Sequence, residues 1–343
     1  MEVRKMIDSV NYIIHNIRHV DFEHLQLLGI TDIKTYKRKT LNCATYTDYR
    51  WSYKSIEFKF SPFFGTVLLL TNTHKLLEPK VDITLADKEL FEEQVYEVVH
   101  EVFKEQIINL ELDRIDYYTD VKTSGFNEML LYMRMYEFQM PKLGHATIKE
   151  KYLTSLHRSS KRGQYNFNAY AKDVESNDER YKNVLRIELQ MKRAKIKKES
   201  KIGVARELIN YWNSNAMEEY YFNLYRELFG YGMHMKYAKA KEIINASNYS
   251  TLWKKKLFNF LKKRMKCFDW KEIVKTKRTY LSYVDKLKSL NINVLCIPKE
   301  LESLVGDADG VENLLDKAHK VAEKKIFYLD GYYIYNYILY LQF

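Results

Sequence analysis

Apolar residues recur along the first two-thirds of the chain in two different rhythms. In SIEFKFSP (55–62), Ile56, Phe58 and Phe60 alternate with Glu57 and Lys59, the period of a half-buried β-strand. Residues 10–17 and 80–85 read as further strands. Across 90–106 the rhythm changes: Leu90, Phe91, Val95, Val98, Val99, Val102 and Phe103 fall at helical spacing with acidic residues between them. Strand character returns at 109–121, helical character at 126–138, and 165–172 and 184–192 predict two more strands. This order predicts an α+β fold, an antiparallel-rich sheet backed by helices. After Ser200 the patterns become long and amphipathic, as in VARELINYWNSNAMEEYYFNLYRELFG (204–230), which predicts a mainly helical C-terminal region. The charged, glycine-ended stretch KESKIG (198–203) marks the boundary. The expected units are therefore 1–200, 201–310 and an aromatic tail over 311–343. No internal repeat of fixed period is visible.

Three of the strands carry polar residues on one face only. In LDRIDYYTD, alternation puts Arg114, Asp116, Tyr118 and Asp120 together, opposite Ile115 and Tyr117. In YNFNAYAK, Asn166, Asn168, Tyr170 and Lys172 share a face, and in VLRIELQMK, Arg186, Glu188, Gln190 and Lys192 do. Any one such strand is simply the wet side of an antiparallel sheet. Placed side by side, the three would join a tyrosine, a lysine, two arginines and several carboxylates on one surface.

Charge narrows the partner. The net charge of +11 and pI near 9.1 favour a polyanion, and nucleic acid is the commonest one. Basic residues concentrate in KRAKIKKESK (192–201), with Lys192 and Arg193 at its start, and in KKKLFNFLKKRMK (254–266). The second puts Lys254, Lys255, Lys256, Lys262, Lys263 and Arg264 on a helix whose buried stripe is Leu257, Phe258 and Leu261. Both read either as solvated faces or as phosphate contacts. The high tyrosine content is what AT-rich codon usage produces and adds nothing about base stacking. Cys43, Cys267 and Cys296 are too scattered for zinc or a disulfide framework, and a reducing cytoplasm is the expected compartment. No signal peptide is apparent. The terminal IFYLDGYYIYNYILYLQF is short for a bilayer span and is broken by Asp330, Asn336 and Gln342, so a strand or packed helix is expected and no membrane partner.

The shared polar surface has the parts that phosphodiester cleavage needs. A tyrosine hydroxyl titrates near pH 10 and needs a base, a cation or a metal to act as a nucleophile. Tyr170 has Lys172 two residues on. Asp116 and Glu188 could hold Mg²⁺ or Mn²⁺ through oxygen ligands. Arg114 and Arg186 could contact DNA or simply pair with those carboxylates. Tyr165 lies on the opposite face of the Tyr170 strand. His157, in a Ser-, Lys- and Arg-rich segment, reads as a surface or phosphate-contacting histidine.

Met6-Ile7-Asp8, RID (114–116), AYAKDVE (169–175) and LRIELQMK (185–192), with TYLSYVDKLKSLNINVLCIPKEL (279–301), resemble in this order the rolling-circle replication initiators of filamentous phages, the gene II protein type, and related plasmid Rep proteins. The resemblance implies a DNA-nicking endonuclease that joins a 5′-phosphate to the tyrosine of Tyr-x-Lys, here Tyr170, and frees a 3′-hydroxyl. It also implies origin DNA, duplex and single-stranded, as partner, with host helicase and polymerase downstream and a homodimer as an open assembly. The His-hydrophobe-His metal motif of many such nickases is missing from the sequence. The competing expectation is a non-catalytic DNA-binding regulator of a phage, plasmid or mobile element.

Overall fold

The computed structural model describes residues 5–40, 45–78, 83–104, 108–139, 145–149, 152–159, 163–266, 270–314 and 316–317. Ten of its strands form one antiparallel sheet: β1 (Lys5–His15), β2 (Lys34–Lys39), β3 (Thr45–Tyr53), β4 (Ile56–Ser61), β5 (Thr66–Asn72), β6 (Leu110–Lys122), β7 (His145–Lys149), β8 (Tyr152–Ser159), β9 (Tyr165–Ala171) and β10 (Val184–Lys192). The predicted α+β class holds, with a mainly helical region after it. Lateral order is β2-β3-β4-β5-β1-β6-β10-β9-β8-β7.

That order hides a repeat. Outward from the β1–β6 seam the strands run β5, β4, β3, β2 on one side and β10, β9, β8, β7 on the other. The seam itself is symmetric. Val10 pairs with Ile115, and the register skips Asp8 on β1 and Asp113 on β6, each two residues before that pair. A helix follows β1 (Phe22–Leu27) and another follows β6 (Phe126–Gln139); helices also begin at the residue after β5 (Thr73–Leu76) and after β10 (Arg193–Ser200). The sheet is thus two copies of one topology related by a pseudo-two-fold axis through the seam. No fixed-period pattern betrays it, because the connections within the two copies differ in length.

One sheet face is apolar and covered. Val10, Tyr12 and Ile14, Ile56, Phe58 and Phe60, Val67 and Leu69, Ile115 and Tyr117, and Leu185, Ile187 and Leu189 are all buried. The predicted helix (Lys88–Phe103) lays Phe91, Val95, Val98, Val99, Val102 and Phe103 on the first half, with Phe103 against Phe58. On the second half lie Phe126–Gln139 and a helix over 214–229, the latter opened by a π-helical turn at Met217–Phe222. Tyr221 donates to the Ile187 carbonyl at 3.0 Å and Tyr117 to that of Tyr211 at 2.8 Å, so aromatic bulk is used where its hydroxyl finds a partner. Residues just past the expected boundary at 200 therefore pack onto the sheet. The other sheet face is where the polar residues stand, Asp116, Tyr118, Arg186 and Glu188 among them buried.

Beyond Phe229, helices Tyr237–Ala246, Thr251–Arg264 and Lys277–Lys288 form the predicted helical region, the last two N-capped by Ser250 and Thr276. A two-stranded ribbon, His234–Met235 with Gly310–Val311, and the Tyr132 hydroxyl on the Glu312 carbonyl at 2.6 Å tie it back. Among the described residues no helix is long and apolar enough to cross a membrane. Of the strand expected at 80–85, residues 80–82 lie outside the described residues, and Leu85 begins a 3₁₀ turn instead. The aromatic tail past Lys317, with Cys43 and Cys267, also lies outside them.

Phe58 stacks on Trp51 with centroids 5.4 Å apart and is fully buried between β3 and the helix Lys88–Phe103. Phe58→Ala should cost about 3–5 kcal/mol, read as a lower urea midpoint at unchanged m.

Candidate functional site

β6, β10, β9 and β8 bring the polar residues of the open face into cross-strand rows. Arg186 stands opposite Asp120 on one side and Tyr170 on the other; Glu188 stands between Tyr118 and Asn168; Gln190 stands between Asp116 and Asn166. Ser155, His157 and Ser159 of β8 extend the rows. The predicted adjacency of the three strands is met, because each antiparallel register pairs polar with polar positions.

Arg186 anchors the first row. Its Nε and Nη2 donate to the two Asp120 oxygens at 2.7 and 2.8 Å, and Nη1 donates to Asp8 at 3.1 Å. The guanidinium lies 3.8 Å from the Tyr118 ring centroid. Burial alone would lower its pKa, but the bonds to Asp120 more than reverse this and hold the side chain charged. Such a planar fork suits a guanidinium and not an ammonium. His74, at the start of the helix after β5, places Nε2 2.9 Å from the Tyr118 hydroxyl, and burial lowers its pKa.

Glu188 organises the second row. Its Oε2 accepts from the Tyr170 hydroxyl at 3.3 Å, and Oε1 accepts from Asn168 Nδ2 at 3.2 Å and Gln190 Nε2 at 2.7 Å. Asn166 donates to Gln190 at 2.9 Å, and the His157 ring bonds Asn168. Burial raises the Glu188 carboxyl, and the nearby Asp8 charge adds to it. Burial also raises the Tyr170 phenol far above its ordinary range, with the Glu188 charge working in the same direction. Tyr170 therefore loses its proton only to an acceptor placed beside it, and Glu188 is so placed.

Asp116, 1% exposed, takes both its bonds from Arg114. Burial pushes its carboxyl up to about 7, outweighing Arg114, and the Glu188 and Asp8 charges add to the rise. Asp116 and Glu188 stand diagonally on neighbouring strands, each already held by side-chain donors. Among the described residues no group of three or more His, Cys, Asp or Glu side chains is arranged to hold a metal ion.

Some expected residues are placed differently. β9 ends at Ala171, and Lys172 starts a short helix (Lys172–Ser176) instead of sharing the strand face of Tyr170. Its Nζ pairs with Glu175 at 2.6 Å and stands 5.9 Å from the Tyr170 ring centroid. Lys192 is half-buried, and Arg193 bonds Asp113 at the seam bulge. On the helix Thr251–Arg264, Lys255, Lys256, Lys262 and Lys263 are exposed, while Lys254 donates to the Asn245 carbonyl at 2.6 Å. Arg264 is 2% exposed and belongs to the buried side, so it does not extend the basic row. Asp8 lay in the Met6-Ile7-Asp8 segment without a role. His74 has no local signal, since only the β1–β5 pairing brings it to this face.

The Asp116 titration gives a signed prediction. Its folded carboxyl titrates near 7 against 3.8 ordinarily, so its contribution to stability is complete below about pH 4 and is lost as pH rises through 7. Asp116→Asn removes that loss. The melting temperature of the variant should gain on that of the wild type between pH 5 and pH 8. A constant difference would mean that Asp116 titrates like an exposed carboxylate.

No family model matches this chain, and no curated protein does. Among solved structures it is similar to a rolling-circle replication initiator protein from Geobacillus stearothermophilus, at 12% identity and TM-score 0.30, over 57% of this chain and 77% of that one. It is also similar to the TBP of Methanococcus jannaschii, at 9% identity and TM-score 0.28, over 59% and 95%. Likeness at these scores carries no weight for the chemistry, which rests on the side chains above.

Proposed function

We propose that this protein is a tyrosine-dependent DNA nickase that opens one strand at an origin for rolling-circle replication. The observation that carries the reading is the Tyr170 hydroxyl donating to Glu188 at 3.3 Å on the polar sheet face, directly across from Arg186. Nucleophile and base are within hydrogen-bond reach, as activation of a weakly acidic phenol requires. The order of short motifs described from the sequence supports the same class.

In the proposed step the Tyr170 oxygen attacks the scissile phosphorus while Glu188 takes its proton. The Tyr170 O–P bond forms as the P–O3′ bond breaks. The 5′-phosphate stays on the tyrosine, and the departing 3′-oxygen takes a proton from water. Arg186 and Lys172 flank the nucleophile and would offset charge on the phosphoryl oxygens. A divalent ion such as Mg²⁺ or Mn²⁺, which the resemblance implies, would be held by Asp116 and Glu188 and would polarise the phosphate. The exposed lysines of the helix Thr251–Arg264 would hold origin duplex through its phosphates.

A second reading, a DNA-binding regulator that does not cleave, draws on the closed ion pairs Arg114–Asp116 and Arg186–Asp120, which satisfy these groups without any substrate.

The test is incubation with a labelled single-stranded oligonucleotide library, with and without added Mg²⁺ or Mn²⁺, followed by denaturing electrophoresis. A covalent adduct that disappears in Tyr170→Phe, while affinity stays within about twofold of wild type, is expected, since one hydroxyl is lost from the half-buried side chain. The adduct rate should also rise with pH as Glu188 deprotonates above the usual carboxylate range. Adducts surviving Tyr170→Phe would place the nucleophile elsewhere, and tight binding with no adduct would favour the regulator. Replacing Lys255, Lys256, Lys262 and Lys263 by Gln should weaken duplex binding and lower its log–log salt slope by up to about four; an unchanged slope removes that helix from the interface.

A further inference from the structure

The pseudo-two-fold axis assigns every residue of the candidate site a counterpart in the first half of the sheet. Counted from the Val10–Ile115 pair through the registers, Asp120 corresponds to His15, Arg186 to Thr66, Tyr170 to Ser61 and Glu188 to Leu68. Nucleophile, base and guanidinium are all replaced, so this corner has no cleavage chemistry. It has a different set of side chains on the same open face.

Directly after Ser61, the turn over 62–65 projects Phe63 and Phe64, 55% and 62% exposed. Their rings meet edge to face at 4.9 Å, and Tyr46 of β3 stacks on Phe63 at 4.8 Å. The turn is held in place: Gly65 adopts φ +59, its amide returns to the Pro62 carbonyl, and its carbonyl accepts from Ile17 at 3.1 Å. Two exposed rings are thereby held on the hairpin turn beside half-exposed Tyr46, an arrangement that costs solvation unless something covers it.

Charge identifies the occupant. The adjacent edge strand β2, KTYKRK, is exposed at every position, with Arg38 directly across from Tyr46. Arg38 is 61% exposed and reaches Asp48 only at 3.6 Å, a surface pair that exchanges readily for phosphate. Arg18 and His19, next to the residue that anchors the turn, are exposed as well. An edge rich in Lys and Arg opposes strand pairing with a second copy of the chain. Aromatic faces beside cations are what a single-stranded polynucleotide needs, with bases stacked on rings and phosphates against the positive edge.

We propose that Tyr46, Phe63 and Phe64, with Arg38, form a platform for single-stranded DNA at the pole of the sheet related by pseudo-symmetry to the Tyr170 site. It holds the strand outside the reacting bond. The proposal rests on the reading that this protein acts on DNA, but not on cleavage by Tyr170.

The test measures binding of fluorescent oligothymidylate to full-length Tyr170→Phe protein by anisotropy, with and without Phe63→Ala/Phe64→Ala. The alanines should weaken binding about tenfold or more, given typical base–aromatic stacking. Phe63→Trp should keep the affinity, and the melting temperature should stay unchanged because both rings are exposed. Arg38→Glu should weaken binding and lower its salt slope. Unchanged affinity in the alanine variant overturns the platform. So does a change of oligomeric state by sedimentation with affinity intact, which would assign the rings to self-association. The alanine variant on the Tyr170-intact chain separates the two hypotheses. Adducts that persist at saturating DNA while affinity falls support both. If the intact chain forms no adduct with any oligonucleotide, and affinity still falls with the alanines, the nickase reading fails and the platform stands.

Discussion

The pairing of β1 with β6 is the constraint on which the rest of the sheet depends. It joins the two copies of the topology, and its register determines which residues of every other strand share a row. Its two bulges are placed symmetrically and both carry aspartates, Asp8 and Asp113. A bulge turns an extra residue out of the ladder. Asp8 thereby reaches Arg186 across β6, and Asp113 reaches Arg193 at the end of β10. A one-residue slip at this seam would exchange the covered and open faces of β1 relative to β6. With β1 held in place, Tyr117 would move to the polar face, and Asp116 and Arg114 would be driven under the helices. The hydrophobic face therefore enforces the register that assembles the polar one.

That polar face is costly to hold. Asp8, Asp116, Asp120 and Glu188 gather against two arginines, and burial raises the carboxyls of Asp116 and Glu188 even with those cations present. Desolvating ion pairs seldom adds net stability. The amide donors Asn168 and Gln190 reduce the cost by satisfying Glu188, and the Tyr118 ring covers Arg186 on one side. The stability comes from the opposite face, where Leu185, Ile187 and Leu189 alternate with those same polar groups and are buried against helices. One strand, β10, both contributes to the core and carries the site.

The sequence made legible the elements whose two faces differ in polarity. β4, β6, β9 and β10 showed period two because helices cover one side of them, and the helix Lys88–Phe103 showed its stripe for the same reason. β2 left no such trace: all six of its residues are exposed, so no apolar period exists to be read. β7 and β8 lie in a segment whose Ser, Lys and Arg content masked its strand character. The repeat stayed hidden because the two halves share hydrogen-bond topology and not side chains. Lys172 was misplaced by one residue of strand, where alternation cannot show that a helix begins at the position after Ala171. Arg264 looked like its lysine neighbours in KKR but lies on the inward side of the helix.

The divergence between the two halves also explains why the site has the shape it does. A sheet with two equivalent open corners would present two equivalent clusters, each burdened with buried carboxylates. Here Leu68 stands where Glu188 does and Thr66 where Arg186 does, so the first half carries none of that electrostatic cost. Ile13 stands at the position of Tyr118, paired with Leu68. The first half packs around Trp51, Phe58 and Phe103. The second half is then free to keep a tyrosine, its base and an arginine in a network that would not be stable alone. The two halves thus share one strand order, while only the second gathers buried carboxylates around an arginine and a tyrosine.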